Sequence, residues 1–85
     1  MIRTSPDVVA RRLEDEIVLV NLTTNRIFSL NRTGGRYWEL LDEGLEQEVI
    51  VGRLLDEFDV DRPTLEQEIA DITAQLRREG LVADT

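Results

Sequence analysis

The stretch from Arg26 to Leu41, RIFSLNRTGGRYWELL, joins a strand-like pattern to a helix-like one. Its first five residues, Arg26–Leu30, form a short alternating run that is typical of a strand with one buried face. Asn31 follows, and Asn is a preferred helix N-cap, so a helix is predicted from about Arg32 to Asp42. The segments before this junction have the pattern of sheet, and those after it have the pattern of helix.

Two further strands are predicted upstream of this junction, at Val8–Leu13 and Glu16–Leu22. Glu14-Asp15 and Thr23-Thr24-Asn25 supply short turns, with Asn tolerant of a positive φ. Because consecutive strands joined by short turns pair antiparallel in chain order, we predict a three-stranded meander. Its first strand and its third strand, Arg26–Leu30, would be the two edges.

Two further helices are predicted downstream, at about residues 46–58 and 64–79, each with an apolar stripe. Gly44 and Gly80 stand where the first and last helices are expected to end. The predicted fold class is therefore α+β, a three-stranded antiparallel β-meander followed by three α-helices. Eighty-five residues leave room for one domain, residues 1–85, of which residues 1–7 are predicted to be flexible.

The last predicted helix has two unlike flanks beside its apolar stripe. One flank is charged and is predicted to face water; its members are Glu68, Asp71, Gln75, Arg78 and Glu79. The other flank is small in its middle and charged at its ends; its members are Glu66, Ala70, Thr73 and Arg77. Small side chains would let another backbone come close to this second flank, although Ala and Thr are also ordinary helix residues.

The composition excludes several classes of function. A net charge of −8 argues against nucleic acid as a partner, because neutralising phosphates takes clustered positive charge. The chain has no His, Cys or Lys, so the commonest acid–base, nucleophilic and metal-binding groups are missing. We therefore predict no enzymatic activity, no metal site and no cofactor. No signal peptide or membrane-length apolar run is seen, which predicts a cytoplasmic protein without a membrane partner.

Two motifs resemble signatures of the PqqD-like family. The first is Leu30-Asn31-Arg32-Thr33-Gly34 followed by Trp38-Glu39-Leu40-Leu41, which is similar to the family's LN-x-T-G … IWELL. The second is Glu68-Ile69-x-x-Ile72-Thr73-x-x-Leu76 closing with Gly80-Leu81-Val82, which is similar to DV-x-x-FL-x-x-L-x-x-x-GL. The chain departs from the second pattern where the family has Asp, Phe and Leu, at Glu68, Ile72 and Thr73. The resemblance covers residues 16–82.

The resemblance implies a winged-helix-like fold and a non-catalytic role as a RiPP recognition element, a domain that binds ribosomally made precursor peptides. In this family the leader segment of the precursor binds as a fourth strand beside the third strand and lies along the last helix. A free-standing domain of this length most resembles the precursor-recognition protein of lasso-peptide biosynthesis. The implied partners are a transglutaminase-like leader peptidase and, indirectly, the cyclase. We expect a monomer.

The residues of the third strand agree with strand addition. Its Ile27–Leu30 segment has no guard against edge pairing except Arg26, so an extended peptide could complete the ladder through main-chain bonds. Leu30 is expected in the core and Phe28 near the pocket floor. The predicted peptide-binding residues are Arg26, Ile27, Phe28, Ser29 and Leu30 on the strand, and Glu66, Ile69, Ala70, Thr73 and Arg77 on the last helix. Arg26 and Arg77 are expected to pair acidic leader residues, and Glu66 a basic one.

Three other functions remain open at this stage. A PqqD-type carrier, which presents a quinone-cofactor precursor to a radical enzyme, would differ in its partner and not in its physics. A winged-helix DNA binder would need a basic recognition helix, and the two later helices are acidic. A structural module that dimerises through its third strand would leave no vacancy for a peptide.

Overall fold

The structure is a computed structural model that describes residues 2–84. Within that range the elements are β1 (Ile2–Thr4), β2 (Val8–Leu13), β3 (Glu16–Asn21), β4 (Arg26–Leu30), α1 (Arg32–Asp42), α2 (Gln47–Glu57), α3 (Arg62–Arg78) and β5 (Val82–Asp84). Strands β2, β3 and β4 form an antiparallel sheet in that order, and β1 pairs with β5 in a separate two-stranded sheet. The predicted α+β fold, a winged-helix-like meander followed by three helices, is confirmed.

The meander puts its apolar side chains on the face toward the helices. Ile17 is paired with Leu30 and Leu19 with Phe28, so these four side chains share one face of the sheet. Ile17, Leu19 and Leu30 are buried, whereas Phe28 is only half-buried at the margin of the core. The prediction that Leu30 lies in the core is confirmed. The opposite face of β4 carries Ile27, of which 70% is exposed.

Helix α1 begins as the sequence predicts. The Asn31 side chain accepts a hydrogen bond from the Gly34 backbone N–H at 2.9 Å, which satisfies a donor that the first turn leaves unpaired. Gly35 lies against β3, because a Cβ at this position would stand 3.0 Å from Ile17 Cγ1. This close approach lets α1 bury Tyr37 and Trp38 in the core. The helix ends before Gly44, whose φ of +86° favours glycine.

Helices α2 and α3 complete the core with Ile50, Leu54, Leu65 and Leu76. The last helix begins at Arg62, two residues before the predicted start at about 64; Asp61 is its N-cap and Pro63 occupies its first turn. Proline is well suited to that position because the first turn leaves its N–H groups without helical partners anyway.

An ion pair joins α1 to α2. Arg36 Nε donates to Glu57 Oε1 at 2.7 Å, and a second nitrogen of the same guanidinium donates to Glu57 Oε2 at 3.1 Å. Glu39 adds a second carboxylate beside Arg36 at 3.3 Å. The hydrogen bonds from Arg36 lower the pKa of Glu57 below its ordinary value of 4.5, and burial opposes this shift only in part. The same contact raises the pKa of Arg36.

The N-terminal segment differs from the sequence prediction. Residues 1–7 were predicted to be flexible, but Ile2–Thr4 pair with Val82–Asp84 as strands β1 and β5. Ile2 packs against the core, and Ser5 N donates to Leu81 O at 2.9 Å. The pairing joins the two ends of the chain, and three-residue strands give no periodic pattern in the sequence. Met1 lies outside the described residues.

Candidate functional site at the edge of β4

The outer edge of β4 is unpaired within residues 2–84. In the sheet β4 has β3 on one side and no strand on the other. An edge strand presents backbone N–H and C=O groups that a further strand can bind. The edge of β4 is therefore a place where an extended peptide could add to the sheet.

The other edge strand, β2, is better protected against pairing. It carries two charged residues in its middle, Arg11 and Arg12, whereas β4 has its one charged residue at its start, Arg26. Charged side chains on an edge strand discourage pairing with another chain. From Val9 to Leu13 every residue of β2 is exposed, and we call this strand with the turn after it the wing. Its Arg12 forms an ion pair with Glu39 of α1. The β4 edge packs against α1, and its Arg26 also pairs with Glu79 at the C-terminal end of α3.

Helix α3 is held beside β4 at both ends of the strand. At the start of β4, Arg26 Nε lies 2.9 Å from Glu79 Oε1. The buried Asn21 side chain also donates to the Glu79 backbone carbonyl at 3.0 Å, while its oxygen accepts from Thr23 N. At the end of β4, a Cβ on Gly34 would lie 3.3 Å from Ile72 Cδ1 and 3.4 Å from Leu30 Cδ2, so both side chains reach this glycine.

These contacts determine which side of α3 faces the strand. Because Glu79 meets the start of β4 and Ile72 approaches Gly34 at its end, α3 runs antiparallel to β4. Residues spaced i, i+4, i+7 and i+11 share one face of a helix. The face of α3 toward β4 is therefore the acceptor strip, which consists of Glu68, Ile72, Gln75 and Glu79. Ile72 is half-buried in the strip, and Glu68 and Gln75 are exposed.

The opposite flank of α3 borders a different cleft. This α2–α3 cleft has a volume of about 370 Å³ and is lined by Ile2, Gln47, Glu48, Val51, Glu66, Ile69, Ala70, Thr73 and Arg77. None of its lining residues belongs to β4. At its base the Tyr37 and Thr73 hydroxyl groups are 2.8 Å apart in a buried hydrogen bond, and Gln47 Nε2 donates to Tyr37 Oη at 3.0 Å.

The structure thus separates the residues that the sequence predicts as one site. Arg26, Ile27, Phe28, Ser29 and Leu30 lie on β4 as predicted, and Phe28 is half-buried on its inner face. The five predicted residues of α3 instead line the α2–α3 cleft: Glu66, Ile69, Ala70, Thr73 and Arg77. Arg26 is paired with Glu79, and Arg77 is paired with Asp84 at 2.9 Å. These partners occupy the two guanidinium groups that were expected to bind acidic leader residues.

The physical reason for the difference is the orientation of α3 about its axis. Thr73 was assigned to an open flank, but its hydroxyl is buried with that of Tyr37, which turns this flank toward α1 and α2. The charged flank, predicted to face only water, contributes Glu68, Gln75 and Glu79 to the strip beside β4. Together with Ile72 these residues have the i, i+4, i+7, i+11 spacing of one helix face. That spacing is the sequence signal from which the acceptor strip could be identified.

The described residues show neither of two other kinds of site. Among residues 2–84, no group of three or more acidic side chains is arranged to hold a metal ion. In the same range no helix has the length and apolar character required to cross a membrane.

The fold and its open edge define a small winged-helix-like protein with a strand free for pairing. Residues 16–82 match the family described as coenzyme PQQ synthesis protein D, PqqD, and the chain belongs to this family. The family resemblance inferred from the two sequence motifs is confirmed. No curated protein sequence matches the chain significantly.

Two solved structures are similar over almost the whole chain. One is TbiB1 in complex with the TbiA(β) leader peptide, with 37% identity and a TM-score of 0.90, covering 98% of this chain and 96% of that one. The other is a lasso peptide synthetase B1 complexed with the leader peptide, with 22% identity and a TM-score of 0.85, covering 98% of each chain. Because the second structure is only 22% identical to this chain, it shows only that the two proteins share a fold.

Proposed function

We propose that this protein is a non-catalytic recognition domain that binds the leader segment of a ribosomal precursor peptide in lasso-peptide biosynthesis. The leader adds as a strand to the outer edge of β4 and lies along the acceptor strip of α3. The observation that carries this proposal is the unpaired edge of β4 beside α3, in a chain 37% identical to a protein solved with a leader peptide. Main-chain hydrogen bonds would supply affinity, and side-chain contacts would supply specificity.

The contacts along the strip define what the leader would meet. Phe28 and Ile72 offer half-buried apolar surface beside the edge, with Ile72 at the end of β4 and the Arg26–Glu79 ion pair at its start. Four steps along a strand cover about 13 Å, so the tied region accommodates about four or five residues of an extended peptide. Ordering each residue costs roughly 1–2 kcal/mol, which limits the expected dissociation constant to about micromolar or somewhat tighter.

The first experiment measures binding of the TbiA(β) leader peptide by calorimetry to the wild-type protein and to two matched variants. Ile72→Ala removes apolar surface from the acceptor strip. Ile2→Ala makes the same chemical change in the α2–α3 cleft, and both isoleucines are half-buried. We expect Ile72→Ala to weaken binding about fivefold to tenfold, because its side chain contacts the peptide. Ile2→Ala should leave the dissociation constant within about twofold.

Thermal melts of both variants give the control for folding. No heat of binding with the folded wild-type protein would reject leader recognition of this peptide. Loss of binding in Ile2→Ala alone would move the site to the α2–α3 cleft. Hydrogen exchange tests the strand itself: amides of β4 should slow when the peptide is added, and those of the wing strand β2 should not.

The domain would then deliver the precursor to a leader peptidase of the transglutaminase-like class, and through it to the cyclase. We expect the rate of leader removal by that peptidase to rise when this protein is added, and the increase to be smaller with Ile72→Ala at the same protein concentration. A PqqD-type carrier for a radical enzyme is the alternative within the same family, and it predicts binding of a quinone-cofactor precursor in place of a lasso leader.

A further inference from the structure

We propose that the acceptor strip selects leaders that carry a basic residue at the position facing Glu68, where the added strand leaves the end of β4. This inference rests on the proposed function and names the class of peptide that the site takes. From the sequence, Arg26 and Arg77 are expected to pair acidic leader residues and Glu66 a basic one; this inference moves the partner of the basic residue from Glu66 to Glu68.

The two acidic ends of the acceptor strip differ in their ion-pair partners. Glu79 already has a cationic partner, because Arg26 lies 2.9 Å from it. Glu68 forms no ion pair within residues 2–84. In that range the ion pairs of α3 and its cap are Arg62–Glu66, Arg77–Asp84 and Arg26–Glu79. The helix itself cannot supply a partner for Glu68: the positions three and four residues away hold Leu65 and Asp71, and Thr64 and Ile72.

Glu68 is placed where a peptide strand would leave the edge of β4. Glu68 lies one turn, or about 6 Å, before Ile72 along the helix axis. Ile72 approaches Leu30 and Gly34, so Glu68 lies beyond the end of β4. The guanidinium of Arg32, in the first turn of α1, lies 5.3 Å from the centre of the Phe58 ring and forms no ion pair with Glu68. A peptide strand that follows the edge of β4 past Leu30 therefore meets an exposed carboxylate with no ion-pair partner.

The electrostatic field of the whole protein favours basic peptides. The net charge is −8, so a peptide with basic residues is attracted from a distance and an acidic one is repelled. Within the acceptor strip Gln75 is neutral and Glu79 is neutralised by Arg26. Glu68 is thus the residue of the strip that can turn the general attraction for basic peptides into a preference for a basic side chain at one peptide position.

The experiment uses a charge scan of the TbiA(β) leader peptide. Peptides in which each position in turn is replaced by Lys or by Glu are titrated by fluorescence anisotropy at low and high salt. At one position or two adjacent ones, we expect the Lys peptide to bind about threefold to tenfold more tightly than the Glu peptide. This corresponds to gaining an exposed ion pair in one peptide and a repulsion in the other. High salt should reduce the difference.

Two acidic residues make the comparison specific. Glu68→Gln should remove the Lys-over-Glu preference, and Glu68→Lys should invert it. Glu48→Gln removes an exposed acid with the same charge from α2, on the α2–α3 cleft, and should preserve the preference. Measuring inversion as well as loss keeps the test informative if either Glu68 variant is less stable.

Failure of this inference can be told from failure of the proposed function. If the parent peptide binds and Ile72→Ala weakens it, leader recognition at β4 stands. Equal binding of Lys and Glu peptides at every position, or equal effects of Glu68→Gln and Glu48→Gln, would then overturn the role of Glu68. If the parent peptide and all its variants fail to bind, both proposals are rejected together.

Discussion

Two glycines within helices, Gly35 and Gly52, differ in the space around them. A Cβ on Gly35 would lie 3.0 Å from Ile17 Cγ1 and 3.4 Å from Ile17 Cβ, both of them in the core. A Cβ on Gly52 would meet nothing within 4 Å. Of these two glycines, Gly35 is therefore the one that packing requires, since it sets the distance between α1 and the sheet that carries β4.

Alanine at these two positions should change stability in opposite directions. Gly35→Ala gains about 1 kcal/mol of helix propensity but forces roughly 1–3 kcal/mol of overpacking against Ile17, so we expect net destabilisation. Gly52→Ala gains the propensity alone and should raise the free energy of unfolding by about 0.5–1 kcal/mol. Urea unfolding measures both. Equal effects of the two substitutions would contradict the close packing at Gly35.

The buried hydroxyl pair of Tyr37 and Thr73 gives a second prediction at the residue scale. Thr73→Val and Tyr37→Phe each remove one partner of the 2.8 Å hydrogen bond. Each should cost about 1–3 kcal/mol of unfolding free energy, because a buried polar group loses its partner. Gln47 can still bond to Tyr37 in Thr73→Val, so that variant should be the milder of the two.

A double-mutant cycle isolates the contact between the two hydroxyls. The double variant should be less destabilised than the sum of the single variants, by about 0.5–3 kcal/mol, since neither hydroxyl is then left unpaired. Additive effects measured by urea unfolding would show that this bond does not fix the orientation of α3.

At the element scale, the bidentate contact from Arg36 to Glu57 joins α1 to α2 and predicts a pH dependence. The pKa of the Glu57 carboxyl is lowered in the folded protein. Glu57 therefore contributes stability that is present above about pH 4.5 and is lost as the pH falls. Glu57→Gln should lower the unfolding free energy at neutral pH by up to about 1 kcal/mol, a modest value because the carboxylate is about one-third exposed.

The difference between wild type and Glu57→Gln should shrink in denaturant melts as the pH is taken below 4.5. Glu66→Gln is a suitable comparison, because its ion pair with Arg62 is longer, at 3.6 Å, and both side chains are about half exposed. Glu66→Gln should therefore change stability less at neutral pH. A difference for Glu57→Gln that grows on acidification would contradict the linkage.

Most elements could be predicted from the sequence because their signals are local. Asn31 caps α1, Gly44 ends it, and Asn25 takes a positive φ in the turn before β4, all as the residue types indicate. The strands β1 and β5 could not be predicted, since each has three residues and its partner lies at the other end of the chain. The predicted edge strand was identified by its lack of guarding charge, which is also local.

The helical wall of the candidate site depends on contacts between distant residues. A helical wheel gives the angular order of side chains but does not show which flank faces the sheet. In α3 that choice is made by Thr73 meeting Tyr37 and by Glu79 meeting Arg26 and Asn21. Polar residues make both contacts, so hydrophobic periodicity alone could not show that the strip from Glu68 to Glu79 lies beside β4.

At the scale of the whole molecule, the two sheets lie on different parts of the protein. A variant lacking residues 1–5 would lose β1, the pairing of β5 and the Ile2 wall of the α2–α3 cleft. We expect it to be about 1–3 kcal/mol less stable, from the lost burial of Ile2 and the lost backbone bonds.

The same variant should still bind the TbiA(β) leader peptide with a dissociation constant within about twofold of wild type, at a temperature where both remain folded. The reason is that β4 and the acceptor strip make no use of β1. Thermal melts and calorimetry measure the two effects. Unchanged stability, or abolished binding by the folded variant, would contradict this division of the molecule.

Because Ile2 is paired with Asp84, the polypeptide enters and leaves this body at neighbouring points. A short linker could therefore close the chain into a ring, and new termini could be opened in the exposed turn at Glu14-Asp15 of the wing. Because residues 2 and 84 are neighbours, a second protein fused at either of them would be attached at about the same place on the surface. A protein fused there would be attached beside β1 and β5, which belong to a different sheet from β4.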